Sequence, residues 1–243
     1  MALKEITYRG TTFAISYEIL NPTAQHDFIV LHGWGSNKEI MKGAFGDTLP
    51  DLRHIYIDLP GFGKSPNETI LTTRDYANII DTLLSSLHVK KEIVAGHSFG
   101  GKVATLLNPD MLVLLSSAGI PVPKPLGVRT KIALFKLFKA LGLGRLRTYF
   151  ASKDASGMSH EMYETFKNVV DEDFTDIFAQ RDAAALLFWG RSDTATPLFT
   201  GEKIHKLISR SNFYPLEGDH FFFSRHAPFI AQTISQEFHR YAD

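Results

Sequence analysis

The hexapeptide Gly96-His97-Ser98-Phe99-Gly100-Gly101 lies between a short apolar run, Glu92–Ala95, and a segment of helical spacing, Ser98–Leu107. A serine at an abrupt strand-to-helix turn is held in a strained backbone with its hydroxyl presented, and close approach of the chains demands small neighbours. Gly96 and Gly100 supply that space. Such a serine also sits at a helix N-terminus, where unpaired N–H groups favour developing negative charge. Ser98 is therefore the candidate nucleophile. A nucleophilic serine needs a base, and the base needs an orienting acid. Of the ten histidines, His220 follows Gly218-Asp219 just after the apolar run Asn212–Pro215. That places it on a loop at a strand end, where ligand sites of α/β proteins form. Asp193 lies in Gly190-Arg191-Ser192-Asp193-Thr194-Ala195-Thr196-Pro197, directly after the run Ala184–Trp189, and is the candidate acid. His97, next to the nucleophile, can hardly reach back as its base and is expected to support the elbow. Asp219 is expected to fix the loop that carries His220.

An oxyanion formed during acyl transfer needs two N–H donors. Phe99, the residue after the nucleophile, is expected to provide one. The other is expected from His32-Gly33-Trp34-Gly35, with the Trp34 N–H as the candidate. Trp34 and Phe221 are also candidate substrate contacts.

These residues need elements to hold them. Residues 3–19 predict two strands around the turn Arg9-Gly10-Thr11, with Phe13, Ile15, Tyr17 and Ile19 alternating in the second. Asp27–Leu31, Ile55–Ile57 and Met111–Leu115 predict further short strands. Thr73–Leu87 has helical spacing, with Tyr76, Ile79, Ile80, Leu83, Leu84 and Leu87 on one face and Thr72 or Thr73 as N-cap. Strand–helix alternation with apolar strands argues a parallel sheet covered on both faces. The pattern changes at Gly119. No strand signal is present from about 119 to 181, while Val128–Leu141, Ser159–Val170 and Phe174–Gln180 look helical. Helices return at Thr200–Ile208 and Pro228–Tyr241. The expected organisation is an α/β core at 1–118 and 182–243, interrupted by a helical cap at 119–181.

With 26 Lys+Arg against 26 Asp+Glu in 243 residues, the chain is not a generally basic nucleic-acid binder. It has no cysteine, which removes disulfides, thiolate metal sites and a cysteine nucleophile together. No apolar run approaches the ~20 residues of a membrane span. The N-terminus lacks an apolar signal-peptide stretch, and the expectation is a soluble, cytoplasmic protein. The neutral total hides a dipolar insertion. Residues 119–153 carry eight basic residues and no acid, and residues 154–182 carry eight acids. Arg129, Lys136 and Lys139 share a stripe of the 128–141 helix. Either the stripe is a solvated face paired with the acidic helices, or it docks an anionic partner such as an acidic carrier protein.

His32-Gly33-Trp34-Gly35, Asp58-Leu59-Pro60-Gly61-Phe62-Gly63-Lys64-Ser65, Gly96-His97-Ser98-Phe99-Gly100-Gly101, Trp189-Gly190-Arg191-Ser192-Asp193 and Gly218-Asp219-His220 resemble, in order, the motifs of the α/β-hydrolase superfamily. The resemblance spans the chain except the insertion. It implies an eight-stranded, mostly parallel sheet with helices on both faces, a helical cap, no cofactor, and a Ser98–Asp193–His220 triad. Within the superfamily the chain is similar to small bacterial members known as meta-cleavage-product hydrolases, which cut 2-hydroxy-6-oxo-dienoates at a carbon–carbon bond. It departs from them at His97, where they usually have asparagine, and at Phe221, where they usually have tryptophan. Carboxylesterases and carrier-protein thioester or methyl-ester hydrolases resemble it equally. The expected activity is hydrolysis of a carboxylic ester or thioester through an acyl-enzyme on Ser98. The alternatives are carbon–carbon hydrolysis of a dienoate, or a non-catalytic scaffold of the same fold.

Overall fold

A computed structural model describes residues 1–122 and 158–242. Eight strands form one open sheet in the order β1-β2-β4-β3-β5-β6-β7-β8. They are β1 (Ala2–Tyr8), β2 (Thr11–Leu20), β3 (His26–Leu31), β4 (Leu52–Ile57), β5 (Ile93–His97), β6 (Met111–Leu115), β7 (Ala184–Gly190) and β8 (Ser211–Leu216). β2 runs antiparallel to β1 and β4, and every other pairing is parallel. The helices are α1 (Lys38–Phe45), α2 (Thr73–Ser86), α3 (Phe99–Leu107), α4 (His160–Val169), α5 (Thr175–Ala179), α6 (Leu198–Leu207) and α7 (Phe223–Ala242). This is the expected mostly parallel sheet with helices on both faces.

The central strands are apolar on both sides because both sides are covered. Ile29 and Leu31 of β3 face one apolar cluster with α2, α3 and α6 residues, while Phe28 and Val30 face a second with α1 and α7 residues. α2 begins with a capping box in which Thr72 and Asp75 satisfy each other's backbone N–H. Its face of Tyr76, Ile79, Ile80, Leu83 and Leu84 is buried, each large side chain contributing about 1.5–3 kcal/mol.

Between β6 and β7 the described residues hold only α4 and α5, close to the helices expected there. They are packed into the core rather than standing off it. Val169, Phe174 and Phe178 join the same cluster as β3 and α3, and the Phe174 N–H donates to the Gly119 carbonyl at 2.8 Å. The expected helix at 128–141, with Arg129, Lys136 and Lys139, lies outside the described residues.

Two elements depart from the sequence reading. α1 carries no expectation there, yet Met41 and Phe45 bury against the second cluster. The last helix starts at Phe223 rather than Pro228, which falls inside it. Phe223, Ala227, Ile230 and Ile234 form one buried stripe, and that burial extends the helix N-terminally past a proline still close to its start.

Candidate active site

Ser98 sits between β5 and α3 with φ 51° and ψ −115°, a left-handed conformation that costs a non-glycine residue about 1–3 kcal/mol. Three backbone bonds over-determine it. The Ser98 N–H donates to the Leu115 carbonyl at 3.1 Å, and its carbonyl accepts from Gly101 and Ala118, both at 3.0 Å. The two glycines are sterically required. A Cβ on Gly96 would strike the Gly100 carbonyl, and one on Gly100 would stand 2.5 Å from the His32 carbonyl oxygen. The elbow thus packs directly on the His32-Gly33-Trp34-Gly35 loop.

Asp193 and His220 meet across the ends of β7 and β8. His220 Nδ1 lies 2.7 Å from Asp193 Oδ2, and the Asp193 side chain is fully buried. Its Oδ1 accepts the backbone N–H groups of Ala195 at 2.8 Å and Thr196 at 3.0 Å. The Thr196 hydroxyl stands 2.9 Å from Oδ2. Burial opposes the charge, but the His220 and Thr196 bonds outweigh it and hold the carboxyl at about 2. The imidazole therefore faces a carboxylate, with its own proton on Nδ1 and Nε2 free to accept. The Ser98 hydroxyl makes no hydrogen bond to His220 in this structure. The two are linked through His97, whose Nε2 donates to the His220 carbonyl at 2.9 Å and whose ring lies 4.5 Å from the His220 ring. Asp219, as expected, fixes the loop by accepting the Phe221 N–H at 2.9 Å.

His32 is fully buried, and burial pushes its pKa down to about 4. Its Nε2 accepts the Leu59 N–H at 3.0 Å, which places the proton on Nδ1, and Nδ1 donates to the Gly33 carbonyl at 2.7 Å. Ser36 N–H donates to the same carbonyl at 3.2 Å. In a trans peptide the N–H points opposite to the carbonyl, so fixing the Gly33 oxygen fixes the direction of the Trp34 N–H. The Phe99 N–H is the first unpaired donor of α3. Beneath this loop lies an ion pair, Lys38 Nζ to Asp58 Oδ2 at 2.7 Å, with both side chains 1% exposed. Asp58 also accepts the Lys38 and Lys64 backbone N–H groups, at 2.8 and 3.0 Å.

The Trp34 ring packs on Phe62, Phe99 and Phe166 at 4.8, 5.5 and 5.3 Å. It is one wall of a cleft of about 860 Å³ that runs along Gly61–Asn67 to Met158, Ser159 and Met162. Phe221 does not line this cleft. Its ring lies 5.7 Å from His220 and 5.2 Å from His97, and it is 48% exposed.

Sequence reasoning missed Thr196, His32 and Lys102. The adjacency of His32 to a glycine at a strand end is a usable signal for the second. Lys102, on α3, is 1% exposed, and its ammonium donates to the Val169 carbonyl and to Glu172. Among the described residues no three His, Asp or Glu side chains converge as a metal ion would need. No described helix is long and apolar enough to cross a membrane.

Residues 28–233 match the model of the Alpha/beta hydrolase family. A protein of Bacillus subtilis, described as the uncharacterized hydrolase YugF, is 24% identical over 83% of this chain and 85% of its own. The pimeloyl-acyl-carrier protein methyl ester esterase of Pectobacterium carotovorum is 33% identical over 79 residues, 32% of this chain and 29% of its own. Among solved structures, an esterase from Thermogutta terrifontis superposes with a TM-score of 0.73 at 17% identity, over 99% of both chains.

Proposed function

The chain belongs to the alpha/beta hydrolase family, and from that premise we propose that it hydrolyses carboxylic esters through an acyl-enzyme on Ser98. The observation that carries this reading is the strained Ser98 elbow, whose neighbour His97 bonds the carbonyl of a histidine that is itself bonded to a buried carboxylate. Ser98 Oγ attacks the ester carbonyl carbon as His220 Nε2 takes its proton. Asp193 keeps the accepting tautomer and stabilises the imidazolium. The oxyanion rests on the Trp34 and Phe99 N–H groups. Collapse expels the alcohol, which leaves with the proton from His220. Water, deprotonated by the same nitrogen, then attacks the acyl-enzyme, and Ser98 departs as a hydroxyl.

The ester assignment is supported by the esterase relative, whose similarity covers only part of each chain. The test is a fluorophosphonate probe with peptide mapping, followed by turnover of p-nitrophenyl esters and of one 2-hydroxy-6-oxo-dienoate. Labelling confined to Ser98 with ester turnover supports the reading. Dienoate turnover without ester turnover replaces it with carbon–carbon hydrolysis. No labelling and no turnover reduces the chain to a scaffold.

A further inference from the structure

The imidazole of His97, the last residue of β5, stands where three parts of the proposed site meet: the elbow, the His220 loop and the Gly33–Trp34 loop. It is buried. On one side its Nε2 donates to the His220 carbonyl at 2.9 Å, and its ring lies 5.2 Å from Phe221 and 4.8 Å from Phe223. On the other it packs against Gly33, where a Cβ would stand 2.9 Å from His97 Nδ1 and 3.1 Å from Ser98 Cβ. A carbonyl can only accept, so the ring proton is on Nε2 and Nδ1 carries a lone pair. That nitrogen is buried and has no hydrogen-bond partner. Burial, reinforced by the neighbouring His220, pushes the His97 pKa down to about 3. The ring is therefore neutral at pH 7 and keeps its one proton for the His220 carbonyl. A buried acceptor left unpaired costs free energy that an apolar side chain here would avoid. The histidine is thus a poor choice for packing alone, and its one paired nitrogen is the one that holds His220.

The entry of the His220 loop is tied elsewhere. The Gly218 carbonyl accepts the Ser192 N–H at 2.9 Å, and His226 Nε2 lies 2.7 Å from the Glu217 carbonyl oxygen. Those bonds run to the turn after β7 and to α7, not to the nucleophile. The His97 bond crosses to β5 and grips the carbonyl of His220 itself. Ser98 follows His97 in a backbone that three bonds already fix. We infer that His97 is a positioning residue whose Nε2–H bond to the His220 carbonyl sets how far the base stands from the Ser98 hydroxyl. The inference rests on the ester-hydrolase reading above, and it gives His97 a role beyond supporting the elbow, since the group it holds is the base. The reach required is specific. A glutamine amide nitrogen extends as far from the backbone as Nε2 and can donate to the same carbonyl. An asparagine amide stops one bond short, and a leucine fills the space without a donor.

The test compares His97→Gln, His97→Asn and His97→Leu with wild type in p-nitrophenyl butyrate turnover, in the rate of fluorophosphonate labelling of Ser98, and in thermal melting. His97→Leu and His97→Asn are expected to lose about 10²-fold in kcat, the scale of a misplacement near 1 Å. Their KM should stay within about threefold of wild type, because the lost alignment is used in the transition state and not in binding. Labelling of Ser98 should slow by the same factor, since it needs the same base. His97→Gln should return to within about tenfold of wild type in both rates. His97→Leu should melt within a few degrees of wild type, because it removes the unpaired nitrogen together with the bond. A loss below tenfold in His97→Leu overturns the inference. So does a His97→Gln no better than His97→Leu, a rescue by asparagine rather than glutamine, or losses that follow the melting temperature across all three variants. Each of these leaves the serine-hydrolase reading standing on wild-type turnover and Ser98 labelling. Absence of both in wild type overturns that reading, and this inference with it.

Discussion

Asp193→Asn isolates what the buried carboxylate does, because the amide is nearly isosteric and every partner can be kept. The two backbone N–H groups that now reach Oδ1, from Ala195 and Thr196, require an oxygen there. The amide nitrogen must then occupy the Oδ2 position, facing His220 Nδ1 and the Thr196 hydroxyl. One amide hydrogen donates to Thr196 Oγ1, which in turn donates to the Ser116 carbonyl 3.0 Å away. The other donates to His220 Nδ1. That forces the imidazole proton onto Nε2, the nitrogen that should accept from Ser98. The expected loss in kcat is about 10⁴, or about 5.5 kcal/mol. Stability changes separately. The Asp193 pKa falls from 3.8 to about 2 on folding. At about 1.4 kcal/mol per pH unit this is worth about 2 kcal/mol. A depressed carboxyl pKa stabilises above its unfolded value, so the contribution is complete above pH 3.8 and fades as pH falls towards 2. The stability gap between wild type and variant should narrow over that window. The assays are p-nitrophenyl ester turnover, nitrogen-15 NMR of the His220 tautomer, and urea unfolding from pH 7 down to 2. A folded variant with kcat within tenfold of wild type would refute the reasoning, as would proton placement on Nδ1 in the variant.

Ser98→Ala should remove nearly all ester turnover, by about 10⁶ in kcat. Ser98→Gly should be equally inactive yet about 1 kcal/mol more stable than Ser98→Ala in urea unfolding, because only glycine adopts φ 51° and ψ −115° without strain. Lys102→Met should cost about 1–3 kcal/mol, leaving the Val169 carbonyl without its donor and Glu172 without its cation. A thermal melt lowered by roughly 5 °C checks it. Changing Arg129, Lys136 and Lys139 together to glutamine should raise KM for a carrier-linked ester and not for a small neutral one, if that stripe docks an acidic carrier. The wild-type preference should fade at 1 M salt, where the Debye length is about 3 Å.

Much of the fold was legible because its signals are local. The strands are short apolar runs, and the parallel sheet follows from their uniform burial and their alternation with helices. The elbow was legible because Gly96 and Gly100 mark the two positions where backbone atoms stand too close for a Cβ. Asp193 and His220 were legible from the order of strand ends, and the structure puts them in contact. What was not legible depends on contacts between distant residues. Nothing local says that Phe222 and Phe223 are buried against α1, so the start of the last helix was assigned to Pro228 instead. Thr196 reads as an ordinary residue before a proline until the chain folds back and its N–H and hydroxyl reach the Asp193 carboxylate. Lys102 reads as the polar face of α3 until α4 brings the Val169 carbonyl to it.

These contacts give the site an internal logic. The developing oxyanion would meet N–H groups whose directions are set before substrate arrives, and the His32, Lys38, Asp58 and Leu59 links in that setting are buried. The Asp58 carboxylate gathers Lys38 and Lys64, and this orders the segment from Asp58 to Ser65. That segment donates the Leu59 N–H to His32 and so selects its tautomer. His32 then holds the Gly33 carbonyl, and the Trp34 N–H follows from peptide planarity. Removing an ion from such a buried pair costs more than its net worth, because its partner is left charged and unpaired. The segment that orders the Gly33–Trp34 loop also contains Gly61, against which Met162 lies. One stretch of chain therefore orders the proposed oxyanion donor on one side and borders the cleft beside Trp34 on the other.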